Sequence, residues 1–288
     1  MKNSKFCTLA AMLMMSVSLF AQNTDGDEVP FSINASTLFG VGGYNIQDTY
    51  LTPGEHANYK GAGLRILNER MKMTHLCDEK ISRQQIISAD MASTNNGGGT
   101  ATDFAGFVDY SLAYHYQFQL DPQLKLLAGA AVHAMGGFIY NTRNGNNPAT
   151  GKIDADLDIS ALGIWQTRIG KLPLVIRLQA DIPFAGVLFS PHYGQSYYEI
   201  FNLGNNSGIV KFSSFHNKLA MKNYLTVDFP ISKVTMRLGY IGSWYQSDVN
   251  GIHDHIISHS FMVGFVKEFI SFGGRHIKNP DQYRSAFY

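Results

Sequence analysis

From Phe104 to Leu120 the chain alternates without a break. Phe104, Gly106, Val108, Tyr110, Leu112, Tyr114, Tyr116, Phe118 and Leu120 fall on one side, and Ala105, Phe107, Asp109, Ser111, Ala113, His115, Gln117 and Gln119 on the other. Successive side chains of an extended chain point to opposite faces, so a period of two over this length specifies a strand. Strands of soluble domains usually run about five or six residues. At roughly 3.3 Å per residue and a tilt near 40°, this one rises about 40 Å, enough to cross an outer membrane and project beyond it.

The pattern recurs over Leu124 to Tyr140, Ile153 to Trp165, Leu172 to Phe184, Leu219 to Phe229 and Val234 to Trp244, and more weakly over Phe31–Phe39, Tyr59–Met73, Ile81–Ser93 and His255–Phe272. The total is about ten strands. Asp121-Pro122-Gln123, Gly170-Lys171 and Pro230-Ile231-Ser232 read as short turns, and the alternate connections near 40–58, 142–152, 187–212 and 246–255 as longer loops rich in Gly, Asn and Tyr. A soluble sandwich has no reason for that one-sided asymmetry, whereas an up-and-down outer-membrane barrel has short periplasmic turns and long outer loops. The expected fold is an all-β, transmembrane, antiparallel up-and-down β-barrel over residues 31–272, with both termini on the periplasmic side.

The ends of the chain fit export. Lys2 and Lys5 precede an apolar run from Thr8 to Phe20 and a small-x-small site at Ser18-Leu19-Phe20-Ala21, so residues 1–21 read as a signal peptide cleaved before Gln22. Residues 22–30 form a polar lead-in and 273–288 a C-terminal extension, in which Tyr288, or Phe272 just before it, can serve as the terminal aromatic that marks barrels for insertion. Losing Lys2 and Lys5 turns 23 basic and 22 acidic residues into a net charge of −1. With 16% charged residues and no basic field, nucleic acid is excluded as a partner. Cys77 is the one cysteine left, so no internal disulfide can form.

Phe39-Gly40-Val41-Gly42-Gly43-Tyr44-Asn45, Gly63-Leu64-Arg65-Ile66-Leu67-Asn68-Glu69-Arg70, the stretch from Phe189 to Phe201 and Val266-Lys267-Glu268-Phe269-Ile270 together resemble an uncharacterised family of Bacteroides-type outer-membrane β-barrels. The likeness spans nearly the whole mature chain. It implies fold and location and brings no activity with it.

The polar strand faces hold the best-founded site. Asp154, Asp156, Asp158, Arg177, Asp181, Lys218, Lys222, Asp228 and Arg237 face one lumen, with Asp109, His115 and His133 across it. Charges of both signs in so narrow a space should pair, because isolated ones lose their solvation. Three smaller constellations stand beside this one. Ser196, His192 and Glu199 lie close together in the 187–212 loop and offer the residue types of a lipid or ester hydrolase, with His216 following. His253 and His255 put two imidazoles on one face of an extended segment, a metal pair if His192 or His216 joins. His75, Cys77, Asp78 and Glu79 read as a polar turn that can take zinc opportunistically. Gly97-Gly98-Gly99 and Gly40-Val41-Gly42-Gly43 lack the Lys-Ser/Thr pair and helix of a phosphate loop. Tyr110, Tyr114, Tyr116, Trp165, Tyr240 and Trp244 read as interface girdles.

The favoured function is a non-enzymatic outer-membrane barrel without cofactor, in contact with outer-membrane lipid. It works through surface-loop binding of a ligand or envelope protein, envelope structure or restricted passage of small solutes. A hydrolase using Ser196, His192 and Glu199 is the alternative, and a soluble periplasmic β-protein is third.

Overall fold

In a computed structural model of the chain, the described residues are 30–53, 58–232, 234–270 and 284–288. Eleven strands follow in order: β1 (Ser32–Asp48), β2 (Tyr59–Met73), β3 (Ile81–Asn95), β4 (Thr102–Asp121), β5 (Leu124–Asn141), β6 (Ala149–Ile169), β7 (Leu172–Phe189), β8 (Val210–Ser214), β9 (Lys218–Ile231), β10 (Val234–Val249) and β11 (Ile252–Ile270). A short helix, α1 (Tyr197–Phe201), sits between β7 and β8. Each long strand pairs antiparallel with its neighbour, and β1 pairs with β11 from Ser32↔Ile270 to Asp48↔Asp254, which closes ten strands into a barrel. β8 takes over the edge of β7 at Ala185–Phe189, above the point where β9 leaves it at Asp181↔Lys222. Closure pairs the ten long strands around the wall, as the low-dielectric interior of a bilayer demands.

The two faces decide what kind of barrel this is. Val41, Leu64, Val108, Val132, Ile159, Leu178, Leu238 and Val263 are exposed on the outer wall, while Arg177 and Arg237 are fully buried inside. A water-soluble barrel has the opposite distribution, and an apolar outer belt of this extent needs lipid to cover it. Among the described residues no helix is long and apolar enough to cross a membrane; the crossing elements are the strands.

The connections need correction. β10 and β11 are joined by Asn250 and Gly251 alone, at φ of 56° and 76°, so the longer loop read at 246–255 is a two-residue hairpin. Asn-Gly supplies the two positive φ values of a type I′ turn without strain, and its backbone twist matches that of the flanking strands. The loop read at 40–58 starts only after Asp48, because β1 continues through its glycines. A Cβ at Gly42 would come within 2.4 Å of the His259 carbonyl oxygen, so glycine there permits strand contact instead of making a loop. The loop read at 142–152 ends where β6 begins at Ala149, and β7 runs on to Phe189. The segment 190–217, carrying α1 and β8, remains the longest excursion and lies at what is called here the loop end. The tight turns at Pro122–Gln123 and Gly170–Lys171 mark the opposite, turn end.

Mid-strand Val132→Arg should therefore destabilise the barrel in lipid vesicles by about 2–4 kcal/mol, and Leu120→Arg near the turn end by about 0–1 kcal/mol. Urea unfolding of vesicle-inserted protein measures both. Equal costs would contradict this placement of the belt.

Candidate functional site

The lumen is filled in levels. At the turn end the last residues of the chain fold back into the barrel. The Ser32 backbone N–H donates to the Arg284 carbonyl at 2.9 Å and the Arg284 N–H to the Pro30 carbonyl at 3.0 Å. Ser285 Oγ donates to Glu268 at 2.6 Å. Ala286 and Phe287 are wholly buried, in a cluster with Met71, Met73, Leu127, Leu162 and Ile164. Tyr288, one of the two aromatics considered as an insertion signal, is on no strand: its hydroxyl donates to Asp228 at 2.8 Å. Phe272 lies outside the described residues.

The next level is a layer of paired charge. Glu69 receives Arg177 on both carboxylate oxygens, at 2.9 Å on Oε2, and Arg237 on Oε2 at 2.8 Å. Arg237 also makes two bonds to Asp228, at 2.6 and 2.7 Å. Both guanidinium groups lie over the Phe287 ring, at 4.9 and 4.5 Å from its centroid, and Arg177 is 4.6 Å from the Tyr224 ring. Gln84 donates to Glu69 at 2.6 Å and to Gln179 at 2.8 Å. His115 meets Ser160 at 2.8 Å, and Ser160 donates on to Asp181. Above this, Leu38, Leu67, Tyr224, Ile241 and Met262 form an apolar cluster.

A second charged level surrounds a cavity of about 90 Å³. Arg65 grips Asp90 through two bonds of 2.6 and 2.5 Å. Lys222 lies 2.9 Å from Asp109, and His133 Nε2 lies 3.0 Å from the same Asp109 oxygen. Lys218 reaches Asp156 at 2.6 Å and Asp154 at 3.1 Å. Asp158 takes no salt bridge among the described residues. Lys152 joins Asp48 at 3.0 Å and Asp254 nearer the loop end.

Nearer that end Tyr44, Ile46, Tyr50, Leu51, Phe107, Ile139, Ile252 and Ile256 pack into a buried apolar cluster, a lid over the charged level. The segment 190–217 is tied to it. Tyr50 donates to the Gln195 carbonyl at 2.8 Å, and the Tyr197 hydroxyl accepts from the Gly151 N–H at 2.5 Å. Burial, and the neighbouring Tyr197 and Asp48, push the Tyr50 hydroxyl up to about 12.

Ser196 is the N-cap of α1. Its hydroxyl accepts from the Glu199 N–H at 3.2 Å, and Glu199 accepts from the Ser196 N–H at 2.7 Å and hydroxyl at 2.9 Å, the reciprocal bonding of a capping box. Bonds from the Ser196 backbone and then its hydroxyl hold the Glu199 carboxyl below its ordinary range. His192 Nε2 contacts the Ser207 carbonyl at 3.2 Å, so no imidazole serves Ser196 among the described residues. His253 pairs with Asp248 at 3.2 Å and His216 with Ser214 at 2.7 Å, and among the described residues no third ligand converges on His253 and His255. Glu79 of the polar turn pairs with Arg284.

Of the groups that matter most in this lumen, Glu69, Arg65, Asp90, Lys152 and Phe287 were not singled out from sequence. For Arg65 and Glu69 the signal was an even spacing along β2, which puts both on one face.

Taken together, the class defined is a closed, antiparallel, ten-strand barrel of outer-membrane type with a charged, internally paired lumen. The chain belongs to the family described as "Protein of unknown function (DUF3316)", whose model matches residues 6–276. A search of curated proteins found no match. Similar solved structures include the outer-membrane protease OmpT of Escherichia coli (9% identity, 86% of this chain and 99% of that one, TM-score 0.41). They also include the transport unit of the autotransporter AIDA-I of Escherichia coli (9%, 89% and 97%, 0.42) and the COG4313 outer-membrane channel of Pseudomonas putida F1 (9%, 86% and 100%, 0.31).

Replacing Glu69 by Leu should cost about 3–5 kcal/mol, because Arg177 loses its carboxylate and Arg237 one of two, while both guanidinium groups stay buried. The urea midpoint of folded protein, followed by the gel shift between unheated and boiled samples, reads this loss. A midpoint within error of the unsubstituted chain would mean water reaches these arginines.

Proposed function

We propose that this chain is a non-enzymatic outer-membrane barrel that works with a sealed lumen and makes its functional contacts through its loop end, outside the cell. The observation that carries the reading is the double closure, with Phe287 against the Glu69–Arg177–Arg237 layer at one end and the Tyr44–Ile46–Tyr50 lid at the other. A conduit needs a continuous wet path, and two packed levels across the lumen favour a barrel without one. The contact surface is the 190–217 segment. It leaves Tyr198, Phe201 and Leu203 of α1 and its exit exposed, with Val210, Phe212 and Phe215 at β8. Exposed apolar side chains in that density favour binding of a partner or of lipid over a purely solvated loop. The hydrolase alternative loses its main support, since Ser196 and Glu199 satisfy each other as a helix cap.

Two measurements test this proposal. Vesicles containing the purified chain should show no swelling in small sugars above protein-free vesicles; uptake would favour restricted solute passage instead. Cysteines at Asn146 and Asn205 should react with membrane-impermeant reagents on intact cells while one at Gln123 stays protected. The reverse pattern would put the turn end outside and the termini with it.

A further inference from the structure

We infer that His133, Asp156 and Asp158 form a binding site inside the barrel for one divalent first-row transition-metal cation of the Zn²⁺ type. Each offers a ligand atom, and the three atoms lie within 4.8 Å of one another. The placement follows from register. His133 on β5 is directly opposite Asp156 on β6, and Asp158 is two residues further along the same face. That makes a direct and a diagonal cross-strand neighbour, both within reach of one ion.

The His133 ring lies between two carboxylates. Its Nε2 is 3.0 Å from Asp109, which also receives Lys222. Its Nδ1 faces Asp156 Oδ2 at 3.7 Å and has no hydrogen-bond partner among the described residues. That separation is close to the roughly 3.4 Å edge of a tetrahedron with ligands about 2.1 Å from the metal. A carboxylate on the far ring nitrogen is also the usual orienting partner of a metal-binding histidine.

Asp158 supplies a second, independent observation. Its side chain belongs to a residue only 4% exposed and lines the cavity, yet Oδ1 has no hydrogen-bond partner among the described residues. Asp156 Oδ1 is in the same position, its other oxygen being taken by Lys218. The cavity wall carries six carboxylates against Arg65, Lys218 and Lys222, so a dication reduces a buried excess of negative charge. Space is kept for it. Gly186 stands opposite Asp156, where a Cβ would meet Asp156 Oδ1 at 2.2 Å, and β7 is bulged at Pro183–Phe184 beside Asp158. One imidazole with two carboxylates suits zinc-like ions better than calcium or magnesium, which take oxygen ligands alone. The site goes beyond the sealed-barrel reading and does not rest on it.

The test folds the full chain from urea into detergent with Zn²⁺ present, so that no ion has to enter a closed barrel, then removes free metal and measures bound zinc and the visible spectrum of a Co²⁺-loaded sample. One equivalent per barrel is expected, with Co²⁺ bands of a four-coordinate nitrogen–oxygen site. Asp158→Asn and His133→Gln, each folded by gel shift, should weaken binding at least tenfold. A His253→Ala/His255→Ala double variant should bind as the unsubstituted chain does. Absence of stoichiometric metal in the folded chain would overturn the inference. So would binding unchanged in Asp158→Asn, or binding lost in the His253/His255 variant.

Discussion

Glu69 is the residue on which the lower half of this barrel depends. Arg177 and Arg237 come from β7 and β10, on strands separated by β9, and neither sees water. A guanidinium stripped of solvent costs several kcal/mol unless it is paired and its donors are used. Glu69, rising from β2 on another part of the wall, brings the two together. Gln84 donates to Glu69 and exchanges bonds with Gln179, and Phe287 covers the pair with an aromatic face. The layer thus ties β2, β3, β7 and β10 through the middle of the lumen, in addition to the hydrogen bonds around its wall.

The same requirement shapes the upper half with a different outcome. Arg65 with Asp90, Lys222 with Asp109 and Lys218 with Asp156 are matched pairs, but the acids of β6 outnumber the bases within reach. That imbalance shows at Asp154, Asp156 and Asp158, each of which keeps a buried oxygen without a hydrogen-bond partner among the described residues, and the last two lie beside His133. A structural lumen built only for stability would have little reason to keep it, since apolar replacement of buried charge is often neutral or favourable. The lower layer reads as a stopper and the upper level as a site.

Much of this was legible in the chain. The strand from Phe104 to Leu120, the polar faces of β6, β7, β9 and β10, and the tight turns at 122–123 and 170–171 follow from period two and turn chemistry. Other features carry a short local signal of their own. Asn250-Gly251 is a hairpin dipeptide, and Ser196-x-x-Glu199 has the spacing of a capping box. β2 concealed its charges because its inner face mixes Arg65 and Glu69 with Leu67, Met71 and Met73, while its outer face near the turn end carries Asn68, Arg70 and Lys72. Glu69 meeting Arg177, and Phe287 meeting both arginines, depend on closure of the sheet, and no local pattern encodes contacts at that separation.

The central claim is that the Glu69 layer is a dry, ion-paired stopper, and exchange at the arginine side chains measures it most directly. Solution NMR of the folded chain in detergent micelles can follow deuterium exchange at the Nε–H groups of Arg177 and Arg237 against exposed Arg143. Protection of both buried groups by orders of magnitude relative to Arg143 is the predicted result. Exchange as fast as that of Arg143 would mean that water threads the lumen at this level, and the sealed-barrel account would fail.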